Sequence, residues 1–143
     1  QLHPNLAYPG DYGQNEDASF EQSLFVHATV ISSDEASGKR VVDAGTKALC
    51  LLSGQPTLAT PTLTLTGEPD GAVSVDPAAV SYSSGGDEHG ILRGVPAGAL
   101  PVGSTVQLVP SHCDPCVNMY DCILGVRAGV VEATFPIDAR GPG

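Results

Sequence analysis

The chain has 143 residues, and its 6 Lys and Arg against 16 Asp and Glu give a formal net charge of −10. This length suits a single domain with its own hydrophobic core. The acidic charge argues against nucleic acid and anionic membrane surfaces as partners, because both are bound through clusters of Lys and Arg. No apolar run approaches the roughly 20 residues of a membrane-spanning helix.

Apolar residues recur mostly with a period of two, which is typical of β-strands. Residues 23–31 alternate between two faces, and the even-numbered residues from Leu24 to Val30 form one of them. The other face is also apolar at Phe25 and Ile31. We therefore expect a central strand that is covered on both sides.

The rest of the chain continues this pattern after a polar loop at 34–39. Short β-rich segments, most bounded by Gly, Pro, Asp or Ser, follow at 40–43, 62–66, 73–75, 80–82, 90–93, 105–109, 123–127 and 130–135. Ala128-Gly129 predicts a hairpin turn between the last two segments. Asp114-Pro115 predicts a helix over 116–121, because Asp caps a first turn and Pro is tolerated at its first position. The pattern predicts one all-β domain over residues 1–143, an antiparallel sandwich or barrel, with one short helix after the His112-x-Asp114 motif.

The cysteines and the start of the chain bear on its cellular context. Cys50, Cys113, Cys116 and Cys122 are too few and too clustered for a secreted disulfide framework. We expect a reducing compartment, the cytoplasm or an organellar stroma or matrix, and not secretion. No signal segment is present and Gln1 is no natural start, so we expect a processed product or an excised domain.

The densest group of titratable residues is Ser111-His112-Cys113-Asp114-Pro115-Cys116. In an extended segment residues i and i+2 point the same way, so His112 and Asp114 would converge on one cation. An imidazole and a carboxylate suit Mn²⁺, Zn²⁺ or another borderline ion and leave coordination positions open for Lewis-acid chemistry. The alternative is a loop histidine beside a helix-capping aspartate.

The same segment contains Cys113-x-x-Cys116, which is compatible with half of a zinc site or with a redox pair. A structural zinc site needs a second ligand pair, and Cys50 and Cys122 lie outside any paired motif. A thioredoxin-like pair needs a βαβ context, of which only the helix is predicted.

For the other titratable residues, a structural role is an alternative to a functional one. Asp87-Glu88-His89 lies between glycines and could approach a ligand closely, or it is an acidic turn. Lys47 could form a Schiff base, but lysines in such loops are usually solvated or paired with a carboxylate such as Asp43. We expect His27 on the second packed face of the first strand, and His3 lies near a terminus.

Five motifs together resemble one enzyme family. They are Asp43-Ala44-Gly45-Thr46-Lys47, Asp87-Glu88-His89-Gly90-Ile91, Pro110-Ser111-His112-Cys113-Asp114-Pro115, Asn118-Met119-Tyr120-Asp121 and Ile137-Asp138-Ala139-Arg140-Gly141. In this order they resemble the C-terminal domain of D-threonine aldolase and its relative D-serine dehydratase. These pyridoxal phosphate (PLP) enzymes of the alanine-racemase fold type combine a β/α barrel with a β domain. Residues 11–13 and 20–26 extend the resemblance over nearly the whole chain.

The resemblance implies a site and a reaction. His112 and Asp114 would bind a divalent metal, with Mn²⁺ or Zn²⁺ expected, and Asp87 would be a carboxylate beside the ligands or the substrate. The reaction would be retro-aldol cleavage of a D-β-hydroxy-α-amino acid to glycine and an aldehyde, since Asp at the third position favours the aldolase. The alternatives are a D-serine or 3-hydroxyaspartate dehydratase and a stand-alone, non-catalytic metal-binding β module.

The resemblance also implies what lies outside this chain. The PLP lysine, the phosphate-binding loops and the catalytic base belong to the barrel, which Gln1 would follow, so no catalytic or PLP-binding residue is assigned here. A homodimer acting on a small D-amino acid is implied as well. Cys113 and Cys116 keep a thiolate zinc site, with Cys122, open as a further alternative.

Overall fold

The computed structural model describes residues 22–59 and 73–141, and this part of the chain is built almost entirely from strands. They are β1 (Val26–Asp34), β2 (Lys39–Val42), β3 (Thr57–Leu58), β4 (Ser81–Ser84), β5 (Gly90–Arg93), β6 (Thr105–Val109), β7 (Cys122–Arg127) and β8 (Val130–Pro136). The helical elements here are α1 (Cys113–Val117) and a 3-10 turn at Pro77–Ala79. The predicted all-β fold class is confirmed.

Strands β1 to β6 form one antiparallel sheet in the order β3-β6-β1-β2-β5-β4. The edge strands β3 and β4 contact each other, so the sheet curves into a nearly closed barrel. Alternate side chains point inward and form the core, as the period of two requires. The buried core includes Val26, Ala28, Val30, Val42, Leu92, Val106 and Leu108.

Strand β1 is central, between β6 and β2, but only one of its faces is covered. His27 and Ile31 are exposed, so the predicted second packed face, with His27 on it, is wrong. The physical reason is closure: a sheet that curves into a barrel buries its inner face and leaves its outer face to solvent. A register shift between Val30 and Ser32 marks a bulge at this point of the strand.

Most of the predicted strands are present, with small shifts at their ends. The hairpin of β1 and β2 forms around the predicted polar loop. The strand predicted at 73–75 is wrong, because residues 73–76 have no regular secondary structure. The Oδ1 of Asp76 accepts a hydrogen bond from the Ala78 N–H and so caps the 3-10 turn. The strand predicted at 62–66 and residue His3 lie outside the described residues.

Strands β7 and β8 form a separate two-stranded ribbon. Ala128 and Gly129 connect them with φ angles of 48° and 77°, and Arg127 pairs with Val130. Two positive φ angles are characteristic of a type I′ turn, so the predicted hairpin is confirmed. Large apolar side chains remain exposed on this ribbon, namely Leu124, Val126, Val130, Val131 and Phe135.

Helix α1 begins earlier than predicted. His112 occupies the N-cap position and Asp114 lies within the first turn, so the helix starts inside the His112-x-Asp114 motif and not after it. Pro115 permits this start, because the first N–H groups of a helix have no intrahelical partner and Pro is tolerated throughout that turn. Within the described residues, no helix is long and apolar enough to cross a membrane.

Candidate metal site

The candidate site is built where the chain leaves β6 and enters α1. His112 has extended backbone angles, φ −146° and ψ 115°, directly before the helix. The hydroxyl of Ser111 donates to the carbonyl oxygen of Gly54 at 2.8 Å and lies 3.3 Å from that of Cys50. These contacts tie the junction to the segment before β3.

His112 and Asp114 are brought together at this junction. The His112 Nε2 lies 3.6 Å from the Asp114 Oδ2, with side-chain exposures of 34% and 89%. The expectation that they share one side of an extended segment is wrong, because Asp114 is helical; the first turn of α1 brings its carboxylate near the ring instead. Donors bonded to one ion at about 2.0–2.2 Å lie roughly 3–3.5 Å apart in adjacent positions, so the pair fits a shared ion after a small side-chain adjustment.

Ser53 orients the histidine ring. Its Oγ lies 2.9 Å from Nδ1 of His112. Metal-binding histidines characteristically donate their second ring N–H to an oxygen, which fixes the tautomer and directs the other nitrogen at the ion. Sequence reasoning missed Ser53, because it lies 59 positions from His112 in a loop without a motif.

The described residues bring two candidate ligands together here and no third. Across 22–59 and 73–141, no group of three or more His, Cys, Asp or Glu side chains could hold a metal ion. The alternative zinc site of three cysteines finds no support there, since Cys122 is exposed on β7 whereas Cys116 is buried in the core. An ion at His112 and Asp114 would keep positions open for ligands from elsewhere.

Two of the four cysteines belong to α1. No disulfide joins Cys50, Cys113, Cys116 or Cys122, all of which lie in the described part of the chain. Cys116 lies on the buried side of α1, and its thiol donates a hydrogen bond to the carbonyl oxygen of Ala48 at 3.6 Å. Burial raises the pKa of the Cys116 thiol.

Lys47 is an exposed, paired lysine. Its Nζ lies 2.6 Å from Oε1 of Glu88, and this hydrogen bond raises the pKa of the ammonium group. A Schiff-base lysine needs the opposite shift, so the ordinary interpretation holds. The partner differs from the expected Asp43, whose carboxylate instead accepts the Thr29 N–H at 2.6 Å.

Asp87 accepts hydrogen bonds from the loop that contains Lys47. Its Oδ1 accepts from the Thr46 hydroxyl at 3.3 Å, and its carbonyl oxygen accepts the Lys47 N–H at 3.0 Å. Further along this segment, Ser53 contacts His112. The segment 43–54 therefore connects the Asp87 loop with the candidate metal pair, and the role predicted for Asp87 stays a prediction.

The sequence matches the family described as "Putative serine dehydratase domain" over residues 23–126. The D-threonine aldolase of Arthrobacter sp is 40% identical over 136 residues, which are 92% of this chain and 31% of that protein. The 3-hydroxy-D-aspartate aldolase of Paracoccus denitrificans is 36% identical over 141 residues, 93% of this chain and 32% of that protein.

Solved structures show the same relationship. The D-threonine aldolase from Filomicrobium marinum superposes with a TM-score of 0.68 at 37% identity, covering 86% of this chain and 30% of that one. The D-threo-3-hydroxyaspartate dehydratase from Delftia sp. HT23 gives a TM-score of 0.60 at 24% identity over 82% of this chain, a likeness of fold alone. The chain spans about a third of the length of the curated relatives it matches. It belongs to the serine dehydratase domain family, in which D-threonine aldolase and 3-hydroxy-D-aspartate aldolase are its relatives.

Proposed function

We propose that this chain is the metal-binding β domain of a PLP-dependent lyase that cleaves D-β-hydroxy-α-amino acids to glycine and an aldehyde. The observation that carries the proposal is the His112 and Asp114 pair, 3.6 Å apart, in a chain that is 40% identical to a D-threonine aldolase. Asp at the third position of the motif supports the aldolase over the dehydratase.

Three side chains of this chain would build the metal site. His112 would bind through Nε2 and Asp114 through Oδ2, while Ser53 holds the ring through Nδ1. One nitrogen and one oxygen donor favour Mn²⁺ or Zn²⁺. A divalent ion bound there supplies Lewis acidity for the substrate's β-hydroxyl group. The exposed Asp114 leaves this side of the site accessible to a small D-amino acid.

PLP would be held by the part of the parent protein that lies outside this chain. The cofactor supplies an electron sink for charge at the substrate's α-carbon. The chain has two lysines, Lys39 in β2 and Lys47. Lys47 does not suit a Schiff base, because it is paired with Glu88, and the resemblance implies that the Schiff-base lysine belongs to the barrel.

The ribbon of β7 and β8 supports a larger assembly. Contiguous exposed apolar side chains mark surfaces that another protein or domain covers, and the strand register places the exposed Leu124, Val126 and Val131 on one face of the ribbon. We propose that the PLP barrel, in a homodimer, covers this ribbon. We also propose a reducing compartment, the cytoplasm or an organelle, because four clustered cysteines are too few for a secreted disulfide framework.

The metal assignment is tested by Asp114→Ala and His112→Ala in the full-length parent. We expect Mn²⁺-dependent turnover to be lost while PLP absorbance persists, because the cofactor does not depend on these side chains. Asp138→Ala, which removes an exposed carboxylate beyond β8, is the matched control and should keep its activity. Unchanged turnover in Asp114→Ala would refute the assignment.

Product analysis separates the aldolase from its alternatives. Glycine and an aldehyde in equal amounts are expected, whereas a dehydratase releases ammonia and an α-keto acid. A natural protein of only 143 residues that binds Mn²⁺ without turning over any of these substrates would establish the non-catalytic module instead.

A further inference from the structure

The Cys113-x-x-Cys116 pair is not used by the proposed function. Cys113 is the first residue of α1 and Cys116 the fourth, so both stand on one side of the helix. Cys113 is half-buried and Cys116 is buried, with 2% exposure. An accessible thiol beside a buried one is the arrangement in which the first exchanges with a small molecule and the second resolves the product.

The spacing of the two thiols permits a disulfide, with a local cost. Residues three apart in a helix have Cα atoms about 5 Å apart, within the range of about 4.4–6.8 Å seen in disulfides. Their Cβ atoms lie about 5–6 Å apart, whereas a disulfide needs about 3.5–4.5 Å. Closure therefore requires the first turn of α1 to move by about 1–2 Å.

Asp114 lies between the two cysteines, so it moves with the first turn. Helix α1 has five residues, and the His112 side chain makes no capping hydrogen bond to it. Cys116 is anchored in the core beside Ala48, so the less buried Cys113 and Asp114 are the residues that shift. The Asp114 Oδ2 is 3.6 Å from the His112 Nε2, so a shift of this size is a large fraction of the distance between the two donors.

We propose that Cys113 and Cys116 form a dithiol that closes to a disulfide by exchange with a small disulfide, and that closure moves Asp114 away from His112. The consequence for metal binding rests on the proposed function, whereas the disulfide itself does not. The modification would weaken metal binding in oxidising conditions.

The oxidant in this exchange is a small disulfide RSSR, such as oxidised glutathione. The Cys113 sulfur attacks RSSR, the S–S bond breaks, and one RSH leaves with a proton. The Cys116 sulfur then attacks the Cys113 sulfur in the mixed disulfide and releases the second RSH. The dithiol loses two electrons, which reduce RSSR to two thiols.

Peptide mapping tests the pairing. Cleavage before Asp residues separates the cysteines, since Asp114 divides Cys113 from Cys116 and Asp121 divides Cys116 from Cys122. After treatment with oxidised glutathione, we expect the peptide ending at Cys113 to be joined by a reducible bond to residues 114–120. Cys113→Ser should abolish this product, and Cys122→Ser, at an exposed cysteine on β7, should preserve it.

Cys50 supplies the strongest competing pairing, because it packs against the core cluster that contains Cys116. A disulfide that joins residues 114–120 to the peptide containing Cys50 would overturn the proposal, as would the absence of any intramolecular disulfide. Cys116→Ala removes a buried side chain and alters the core. The decisive variant is therefore Cys113→Ser, because Cys113 is only half-buried.

Mn²⁺ binding, followed by electron paramagnetic resonance of the free ion, tests the effect on Asp114. We expect the oxidised protein to bind Mn²⁺ about tenfold or more weakly than the reduced protein, with recovery after dithiothreitol. Equal affinity in both states would overturn the coupling. Failure of the reduced protein to bind Mn²⁺ would instead refute the proposed function, and the peptide map would still decide the disulfide.

Discussion

The Oγ of Ser53 and the Nδ1 of His112 lie 2.9 Å apart, although 59 positions separate the two residues in the sequence. The contact fixes the plane of the imidazole and leaves Nε2 on the side of Asp114. Because a metal-binding ring must be held in one tautomer and one orientation, this serine is expected to contribute to affinity without touching the ion.

Replacing Ser53 with Ala should therefore weaken Mn²⁺ binding about 10- to 100-fold, the usual effect of losing such a partner. Titration of Mn²⁺ in the full-length protein measures the change. Ser81→Ala, at an exposed serine on β4, is the matched control and should bind like the unaltered protein. Equal affinities for both variants would show that the hydroxyl does not orient the ring.

The sequence predicted the features that depend on local pattern. Alternation located β5 and β6, and Ala128-Gly129 located a hairpin because two positive φ angles are required there. It overestimated the burial of β1, because curvature of the whole sheet decides whether His27 meets solvent, and no nine-residue pattern contains that information. The partnership of His112 with Ser53 arises from chain segments that meet only after folding.

The buried Arg40 also contacts residues that are distant in the sequence. Its side chain is 0% exposed, and its guanidinium donates to the carbonyl oxygens of Ala99, at 2.7 Å, and Leu100, at 2.9 Å. Glu35, at the surface, completes the arrangement through an ion pair of 2.8 Å. Arg40 thus anchors the loop before β6, in which Leu100 has a positive φ of 49°.

We expect Arg40→Met to destabilise the domain strongly. The apolar stem is kept, but four buried or half-buried carbonyl groups, those of Asp34, Lys39, Ala99 and Leu100, lose a donor, at about 1–3 kcal/mol for each group left unpaired. Urea unfolding measures the loss in free energy of unfolding. Arg93→Met, at the exposed end of β5, should change it by less than about 0.5 kcal/mol. Equal stabilities would mean that water or a local rearrangement satisfies the carbonyls.

Gly45 fits closely against the loop that contains Asp87. A Cβ atom at this position would lie 2.5 Å from the Asp87 carbonyl oxygen and 2.5 Å from the His89 nitrogen. Gly45→Ala should therefore push the two loops apart and cost about 1–3 kcal/mol in urea unfolding. Hydrogen exchange at the Thr46 and Lys47 amides should accelerate, because both donate to that loop.

Thr46→Val is the control for this prediction. It keeps the side-chain shape and loses only the 3.3 Å hydrogen bond to Asp87, so its stability should stay within about 0.5 kcal/mol. If Gly45→Ala proved as stable as Thr46→Val, the loops would not be packed as closely as the structure indicates.

Tyr120 should make the domain sensitive to alkali. Its hydroxyl donates to the carbonyl oxygen of Ala48 at 2.8 Å, and burial, with a smaller effect from Cys116, raises its pKa from 10.0 to about 12. Between these values the unfolded tyrosine loses its proton while the folded one keeps it. The folded state then binds more protons, so stability falls as pH rises above 10.0 and is unaffected by this group below that value.

Tyr120→Phe tests the predicted fall of stability with rising pH. At neutral pH the variant should lose about 1 kcal/mol with its hydrogen bond, measured by urea unfolding. Above pH 10.0 its stability should fall less steeply than that of the unaltered protein, because Phe has no proton to lose. Part of the slope should remain, since burial also raises the pKa of Tyr82, whose hydroxyl donates to the Ala44 carbonyl. Tyr82→Phe should reduce the remainder, and an unchanged slope in the double variant would contradict a contribution of these two phenols to alkaline unfolding.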